Sequence, residues 1–297
     1  MKRLFLSIFS VLITVFAVIL LPTFAQDYIT WMLPEGAVAR LGKSTIDEIE
    51  YSPDGTLLAV AGAMGIWLYD AQSGKELHLL LGNTENLNGI SFSPDGKTIA
   101  GISRLSVRQW DVASGLHLGK LTSHSGYSMA YSPDGKLIAI GGYDGGANDV
   151  IYLLDAESAE RLHVFGKHKG RITSVSFSPD GSMLISAGRD GYIHLWDVVS
   201  RSHLWTFKRQ KILRSHNSGV TSVKFSPDGQ IIASASENGI IRLWNPEPGD
   251  HLRVLRGHQG RVGSISFSPD GKTNRKRRYG SCYAFMGCRI WETHIYF

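Results

Sequence analysis

Apolar and polar residues alternate with a period of two through most of this chain, and that pattern predicts β-strands. In "VTSVKFSPDGQIIASAS", Val220, Val223 and Phe225 stand among small or polar residues, and a second apolar run begins two residues after Gly229. Two such runs around a short turn predict a β-hairpin. The other apolar runs are short as well, so we predict almost no helix outside the N-terminal segment.

The turn of this hairpin, Ser-Pro-Asp-Gly after Phe or Tyr, occurs six times. Proline presets φ at the first turn position, aspartate can bond to its own backbone, and glycine tolerates the left-handed conformation. The serines of the six turns are 39 to 48 residues apart: Ser52, Ser93, Ser132, Ser178, Ser226 and Ser268. Such a period is close to the roughly 40 to 45 residues of a four-stranded propeller blade.

Two further landmarks stay in phase with the turns. A third apolar run ends in Trp-Asp or a variant 17 or 18 residues after the turn serine, as at Trp110, Trp196 and Trp244. A histidine precedes several of the turns, at His124, His168, His216 and His258. Together the landmarks resemble those of the WD40 repeat family over roughly residues 38 to 271. The resemblance implies an all-β fold, a WD40-like β-propeller.

A strand count predicts six blades of four antiparallel strands. Their inner trios are expected near residues 46-70, 88-111, 127-155, 172-197, 220-245 and 262-292. Five outer strands follow these trios. The sixth is expected at residues 37-43, because in the WD40 family an N-terminal strand typically completes the last blade and so closes the ring.

The last trio departs from the repeat. After the sixth turn, an apolar strand should follow, but the sequence is "TNRKRRYGSCYAFMGC". Basic runs are usually solvated. We therefore predict an irregular basic C-terminal segment at 272-297, which is either a frameshifted last blade or an unusual real one. In the second case, "RKRR" becomes a candidate contact site.

The N-terminal segment predicts an apolar helix that directs export. Lys2 and Arg3 precede an apolar run from Leu4 to Leu21, and Ala25 supplies a cleavage site before Gln26. These features indicate a signal peptide at residues 1-25. The run of 18 residues is also just long enough for an uncleaved membrane anchor, residues 4-21. Either outcome places the propeller, residues 26-271, outside the cytoplasm, in the periplasm or secreted, as an exported prokaryotic-type member of the family.

Charge and cysteine content exclude some classes of function. The formal net charge of +5 comes from the chain ends, because residues 26-271 hold 23 of the 31 basic and 25 of the 26 acidic residues. A broad nucleic-acid-binding face is therefore not expected. Both cysteines, Cys282 and Cys288, lie in the C-terminal segment. The propeller needs no disulfide and suits either redox compartment.

The WD40 resemblance also implies a hydrogen-bonded tetrad of His, Ser or Thr, Asp and Trp within a blade. The matching residues in blades four and five are His168, Ser186, Asp190 and Trp196, and His216, Ser234, Asn238 and Trp244. Because asparagine cannot carry the charge that strengthens the bond to histidine, the second network should be weaker. A hydrolase triad is the rival interpretation of Ser, His and Asp. The family places these groups inside the sheet, so we predict no catalytic residues.

We predict neither a cofactor nor a metal. "DGKT" at residues 95-98 lacks the leading glycine and the helix of a phosphate loop. Asp144, Asn148 and Asp149 could ligate calcium, but their spacing fits no EF-hand, and an elongated turn explains them.

The resemblance implies a preferred binding face, built from the loops before the first and third strands of the blades. The candidate residues there are Tyr143, Arg171, Arg189, Glu237 and Arg261. We predict a non-enzymatic interaction scaffold that binds a protein or peptide, with membrane contact only if the N-terminal helix is retained. The alternatives are an envelope ligand-binding or enzymatic propeller that uses the central channel, and a truncated fragment of a longer WD40 protein. The sequence leaves the oligomeric state open.

Overall fold

The structure is a computed structural model that describes residues 46–82, 86–143, 149–206, 218–247, 249–258, 260–267 and 282–286. The chain divides into two units, residues 1–41 and 42–297, and all described residues belong to the second. The predicted signal helix, the strand at 37-43 and most of segment 272-297 lie outside the described residues. Within those ranges, no helix is long and apolar enough to span a membrane.

Five sheets have four strands each, and we number these sheets as blades in chain order. Blade 1 contains β1 (Ile46–Tyr51), β2 (Leu57–Gly62), β3 (Gly65–Asp70) and β4 (Glu76–Leu80). Blade 2 contains β5 (Gly89–Phe92), β6 (Thr98–Ile102), β7 (Val107–Asp111) and β8 (His117–Thr122). Blade 3 contains β9 (Gly126–Tyr131), β10 (Leu137–Tyr143), β11 (Asp149–Asp155) and β12 (Arg161–His168). Blade 4 contains β13 (Ile172–Phe177), β14 (Met183–Gly188), β15 (Ile193–Asp197) and β16 (Ser202–Thr206). Blade 5 contains β17 (Val220–Phe225), β18 (Ile232–Ser236), β19 (Ile241–Trp244) and β20 (His251–Leu255).

Each blade is an antiparallel meander in which strands that follow one another in the chain are paired. The Ser-Pro-Asp-Gly turn joins the first strand of a blade to the second. In blade 3, Ser132 Oγ donates to Asp134 Oδ1 at 2.6 Å and accepts from the backbone N–H of Leu137 at 2.9 Å. The same two bonds recur in the other four complete blades. The repeated motif is therefore the repeated closure of one hairpin.

The turn glycines also limit how closely neighbouring blades approach. Gly181 has a φ of 73°, which favours glycine, and a Cβ atom there would lie 3.5 Å from the Pro133 ring of the preceding blade. Equivalent contacts join Gly96 to Pro53, Gly135 to Pro94 and Gly229 to Pro179. The turns thus form a row of contacts at one end of the blades.

The inner strands pack side by side in chain order, from β1 through β5, β9, β13 and β17. The serine four residues before the turn serine links one blade to the next. Ser174 Oγ accepts from the Val223 N–H at 3.0 Å, and Ser128 Oγ accepts from the Val175 N–H at 3.0 Å. Because equivalent positions are joined, all inner strands run in the same direction.

Apolar side chains fill the spaces between successive blades. Between blades 1 and 2, Leu68, Ile90, Phe92 and Trp110 form one buried cluster. Similar clusters lie at the next four boundaries, up to the contact of Ile241 and Leu243 with residues 262–267. The core is a series of sheet-to-sheet contacts, as is typical of repeat architectures.

The sixth blade differs from the prediction. It contains β21 (Val262–Phe267) and β22 (Cys282–Met286), which pair in parallel. In the described part of the chain, five blades are complete and the expected sixth four-stranded antiparallel sheet is not formed, so the prediction of six equal blades is wrong. The stretch that should supply its second strand carries Arg275, Lys276, Arg277 and Arg278, and such side chains do not fill an apolar space between sheets. β21 nevertheless packs between β17 and β1, so that six inner strands surround the channel.

Candidate partner-binding face and the blade 4 hydrogen-bond network

The ring has two ends with different chemistry. We call the end that carries the Ser-Pro-Asp-Gly turns the turn face. The opposite end, the loop face, carries the connections between second and third strands and those that lead into the next blade. Tyr143, Arg171, Arg189, Glu237 and Arg261 all lie at this loop face, because each stands at the end of a second strand, directly after it or directly before an inner strand.

Arg171 and Arg189 lie beside each other on blade 4. The Arg189 backbone N–H donates to the Arg171 carbonyl at 2.9 Å. The Arg171 guanidinium lies 4.0 Å from the centroid of the Tyr127 ring, which is a cation–π contact. Arg189 Nε lies 4.0 Å from Glu237 Oε1, and both side chains are largely exposed. Three of the five predicted face residues are therefore close together on blades 4 and 5.

Arg261 lies in front of blade 6 and interacts with Asp47 of blade 1. Burial raises the pKa of the Asp47 carboxyl, while the charge of Arg261 acts in the opposite direction. Tyr143 is further round the ring on blade 3, with 52% of its surface exposed. Its carbonyl accepts a hydrogen bond from the Tyr152 hydroxyl at 2.9 Å.

Charged side chains enter the central channel below this face. Glu48 Oε2 accepts from the Ile90 N–H at 3.0 Å, and Glu48 Oε1 lies 3.9 Å from Lys224 Nζ. Burial raises the pKa of Glu50 to about 8, with Lys224 opposing and Glu48 adding to this shift. The channel therefore contains an ion pair between blades 5 and 1, beside a carboxyl whose burial favours its protonated form.

In blade 4, four side chains form a continuous hydrogen-bonded chain. Trp196 Nε1 donates to Ser186 Oγ at 2.9 Å, Ser186 Oγ lies 2.8 Å from His168 Nε2, and His168 Nδ1 lies 3.0 Å from Asp190 Oδ2. A carboxylate accepts from Nδ1–H, so the serine hydroxyl donates to Nε2. Asp190 also accepts from the backbone N–H groups of Lys169 and Tyr192.

Opposing effects set the charge of Asp190. Burial alone would raise its pKa, but the hydrogen bond from His168 and the two backbone donors hold the pKa below its ordinary value. Ser186 is fully buried and His168 is 2% exposed. A nucleophile has to reach its substrate, so this burial favours a structural role for the set rather than a hydrolase triad.

A family model described as WD40, WD domain, G-beta repeat, matches five segments of the chain, residues 74–111, 115–147, 159–197, 207–245 and 249–273. Together these segments cover more than half of the sequence. The chain belongs to the WD40 family. The predicted β-propeller of WD40 repeats is confirmed by this match.

Relatives of this WD40 protein share one to a few repeats with it. It is 38% identical over 82 residues to Actin-interacting protein 1 of Drosophila melanogaster, and 37% identical over 87 residues to the Periodic tryptophan protein 2 homolog of Dictyostelium discoideum. It is 37% identical over 102 residues to human Apoptotic protease-activating factor 1. The matches cover 26%, 29% and 31% of this chain but only 13%, 9% and 8% of the relatives. This chain thus spans a small part of each relative's length. All three are eukaryotic proteins and give no support to a prokaryotic type.

The other WD40 repeats of the chain vary the network. In blade 5, Trp244 Nε1 donates to Ser234 Oγ at 2.8 Å, while Asn238 Oδ1 accepts from Ser236 Oγ at 2.6 Å. His216 lies outside the described residues. In blade 2, Trp110 Nε1 donates instead to the Leu81 carbonyl at 2.6 Å. Asn238 thus takes part in a local turn, and the weaker network expected for blade 5 stays a prediction because it depends on His216.

Sequence reasoning missed several residues around these sites. His194 packs its ring against His168, with centroids 4.5 Å apart, and stacks on Trp196. Atoms of His168, Asp190 and His194 lie within 4.8 Å of one another, a spacing that could suit a metal. His168 would have to give up one of its two hydrogen bonds to bind an ion, so the network itself explains the cluster. The residue two positions before the Trp of the third strand could have indicated this packing. In blade 3, where Leu154 stands at the Trp position, that residue is Tyr152, and it also packs on a histidine, His124.

Proposed function

We propose that this WD40 protein is a non-enzymatic scaffold that binds a protein or peptide on its loop face. The observation that carries the proposal is the group of neighbouring residues Arg171, Arg189 and Glu237 at the loop face of blades 4 and 5. Arginine and tyrosine are frequent anchors at protein interfaces. The exposed Tyr143 and Arg261 extend the same surface round the ring.

The family supports this proposal. The name of Actin-interacting protein 1 describes a protein that interacts with actin, and that of Apoptotic protease-activating factor 1 describes a protein that activates a protease. Both names refer to protein targets. We propose that this chain also has a protein target. It shares only a small part of the length of these relatives, so their own targets are not assigned to it.

The test is affinity capture with the full chain from an extract of the source organism. The charge-reversal pair R171E/R189E alters the loop face, and K97E/K136E changes two exposed lysines of the turn face as the matched control. We expect a partner that the wild type and K97E/K136E retain and R171E/R189E loses. Retention by all three chains, or the loss of binding only in K97E/K136E, would contradict the proposed face. Circular dichroism must show that both variants are folded.

We further propose that the chain is exported, on the basis of its basic start, apolar run and Ala25. Expression of the full gene in a bacterial host, followed by mass spectrometry of the product, tests this proposal. A product that begins at Gln26 in the periplasm or medium supports cleavage, and an intact chain in the membrane fraction supports an anchor at 4-21. An intact chain in the cytosol would overturn export.

A second candidate function is that of a repeat segment within a longer WD40 protein. The two-stranded parallel sheet in the described part of blade 6 favours it, since a blade of this family has four strands and an incomplete one can pair with further strands. Sequencing the gene across and beyond the codons for Asp270 to Phe297 tests this candidate. A single-base shift that restores an apolar second strand and further repeats supports it, and an unchanged frame contradicts it.

A further inference from the structure

Basic side chains dominate one half of the loop face. In the parts of blades 4 to 6 that the structure describes, five basic residues lie on this face or lead into it: Lys169, Arg171, Arg189, Arg256 and Arg261. Three carboxylates lie beside them: the exposed Glu237, the partly buried Asp190, which is paired with His168, and Asp47 of blade 1 next to Arg261. The surplus positive charge on this half contrasts with residues 26-271 as a whole, which are close to neutral.

The local contacts leave much of this charge available for a ligand. The Arg189–Glu237 pair is exposed and 4.0 Å long, so it contributes little. Arg171 lies over the Tyr127 ring, and no described carboxylate forms an ion pair with it. Stacking on a ring fixes the plane of a guanidinium, but its N–H groups can still donate two parallel hydrogen bonds to a carboxylate. Arg261 interacts with Asp47, whose carboxyl is made less acidic by burial.

Exposed apolar side chains stand on the other half of the same face, together with the exposed Arg104 of blade 2. Met64 and Leu105 stand in the connection between second and third strands of blades 1 and 2, and Tyr143 ends the second strand of blade 3. They are 49%, 66% and 52% exposed. In blades 4 and 5 the same connection carries Arg189 and Glu237. These three apolar side chains on successive blades offer separate anchor points for the apolar side chains of a bound segment.

We propose that the loop face selects a protein segment that carries acidic residues next to an apolar anchor. The inference rests on the proposed scaffold function and names the chemistry of its partner. The carboxylates of the segment contact Arg171, Arg189 and Arg261, and its apolar side chains lie on Met64, Leu105 and Tyr143. A nucleic acid fits this face less well, because its phosphate backbone offers no counterpart to the exposed apolar side chains on the other half of the face.

The experiment is selection from a displayed library of random 12-residue peptides with the full chain as bait, followed by affinity measurements on the enriched peptides. We expect enrichment of peptides that combine Asp or Glu with large apolar residues. R171E/R189E and L105D should each weaken binding at least about tenfold. The matched controls K97E/K136E and L118D should change it less than about twofold, since Leu118 is 55% exposed, against 66% for Leu105, but lies on outer strand β8. Replacing the peptide's Asp and Glu by Asn and Gln should weaken binding similarly.

The remaining outcomes contradict the inference in distinguishable ways. Enriched peptides that are neutral or basic and still require Arg189 or Leu105 overturn the acidic chemistry but retain the scaffold function. Enriched peptides that bind all variants equally overturn the loop face as the site. A library that yields no peptide counts against both proposals. A single-stranded 20-nucleotide DNA that binds more tightly than every enriched peptide, and is lost in R171E/R189E, identifies a nucleic-acid site instead.

Discussion

The Nζ atom of Lys224 lies 3.9 Å from Oε1 of Glu48, so an ion pair joins the fifth blade to the first across the channel. Both side chains are largely buried, at 14% and 11% exposed. Glu48 also accepts the Ile90 N–H, in the position where other blades use a serine. Side chains therefore link blade 5 to blade 1 and blade 1 to blade 2. The first of these links joins the two blades that flank the irregular blade 6.

The carboxyl of Glu50, beside this pair, should make stability depend on pH. Its pKa of about 8 in the folded state lies above the ordinary value of 4.5, so the folded protein holds a proton that the unfolded chain releases between these pH values. Stability should fall as pH rises through this window and level off above about pH 8. Glu50→Gln removes the titrating group, so it should be more stable than the wild type at pH 8.5 and lose this advantage toward pH 5.

Urea unfolding of the wild type and Glu50→Gln at both pH values measures the effect, which is at most about 1.4 kcal/mol per pH unit. The substitution Gln230→Asn at an exposed amide is the control and should follow the wild-type pH profile, because it changes no charge. Equal pH profiles for the wild type and Glu50→Gln would rule out a raised Glu50 pKa.

Two equivalent serines should differ in their contribution to stability. Ser174 Oγ is bonded to both the N–H and the carbonyl of Val223, whereas Ser264 Oγ is buried with no hydrogen-bond partner among the described residues. Ser174→Ala should cost about 1 to 3 kcal/mol, because it leaves a buried backbone donor unpaired. Ser264→Ala should be neutral or stabilising. Chemical denaturation measures the stability of both variants. An equal loss of stability would contradict the prediction, because it would mean that Ser264 Oγ also forms a hydrogen bond where the ring closes.

The blade 4 network predicts a large effect at Ser186. Ser186→Ala removes the acceptor of Trp196 and the donor to His168 in a fully buried place. We expect a loss of about 2 to 4 kcal/mol, seen as a lower denaturation midpoint. The exposed Ser123→Ala should change stability by less than about 0.5 kcal/mol. A Ser186→Ala protein as stable as the Ser123→Ala control would show that the network does not support the blade.

The glycine of a repeated turn should resist substitution. Gly181→Ala places a Cβ at a φ of 73° and 3.5 Å from Pro133, and should cost about 1 to 2 kcal/mol. Gly166 in β12 has no positive φ, and a Cβ there would make only an ordinary 3.6 Å contact with Val150. Gly166→Ala should therefore be neutral or slightly stabilising. Thermal unfolding compares the two, and equal melting temperatures would contradict the account of the turn.

Local sequence signals predicted the features that repeat. The Ser-Pro-Asp-Gly turn predicted each hairpin because its four residues meet the needs of that turn on their own. Ser186, Asp190 and Trp196 stand near one another in the chain and at fixed distances from the turn, so the family pattern identified them together with His168.

Features that depend on the closed ring were not predictable. Lys224 and Glu48 are far apart in the sequence, and only the curvature of the inner strands brings them together. Met64 and Leu105 resemble ordinary loop residues until the blades place them on one face. The basic stretch after Gly271 indicated an irregular blade 6, but no local pattern indicated that β22 would pair with β21 in parallel.

The central claim is that a protein partner binds at the loop face. The most direct measurement introduces a photo-crosslinking phenylalanine analogue into the full chain in cells of the source organism, at Tyr143 or Arg189 on the loop face, and at Leu118 or Lys136 as controls. We predict that both loop-face positions form a covalent adduct with the same protein and that the controls do not. An adduct formed only at Leu118 or Lys136, or at none of the four positions, would contradict the claim.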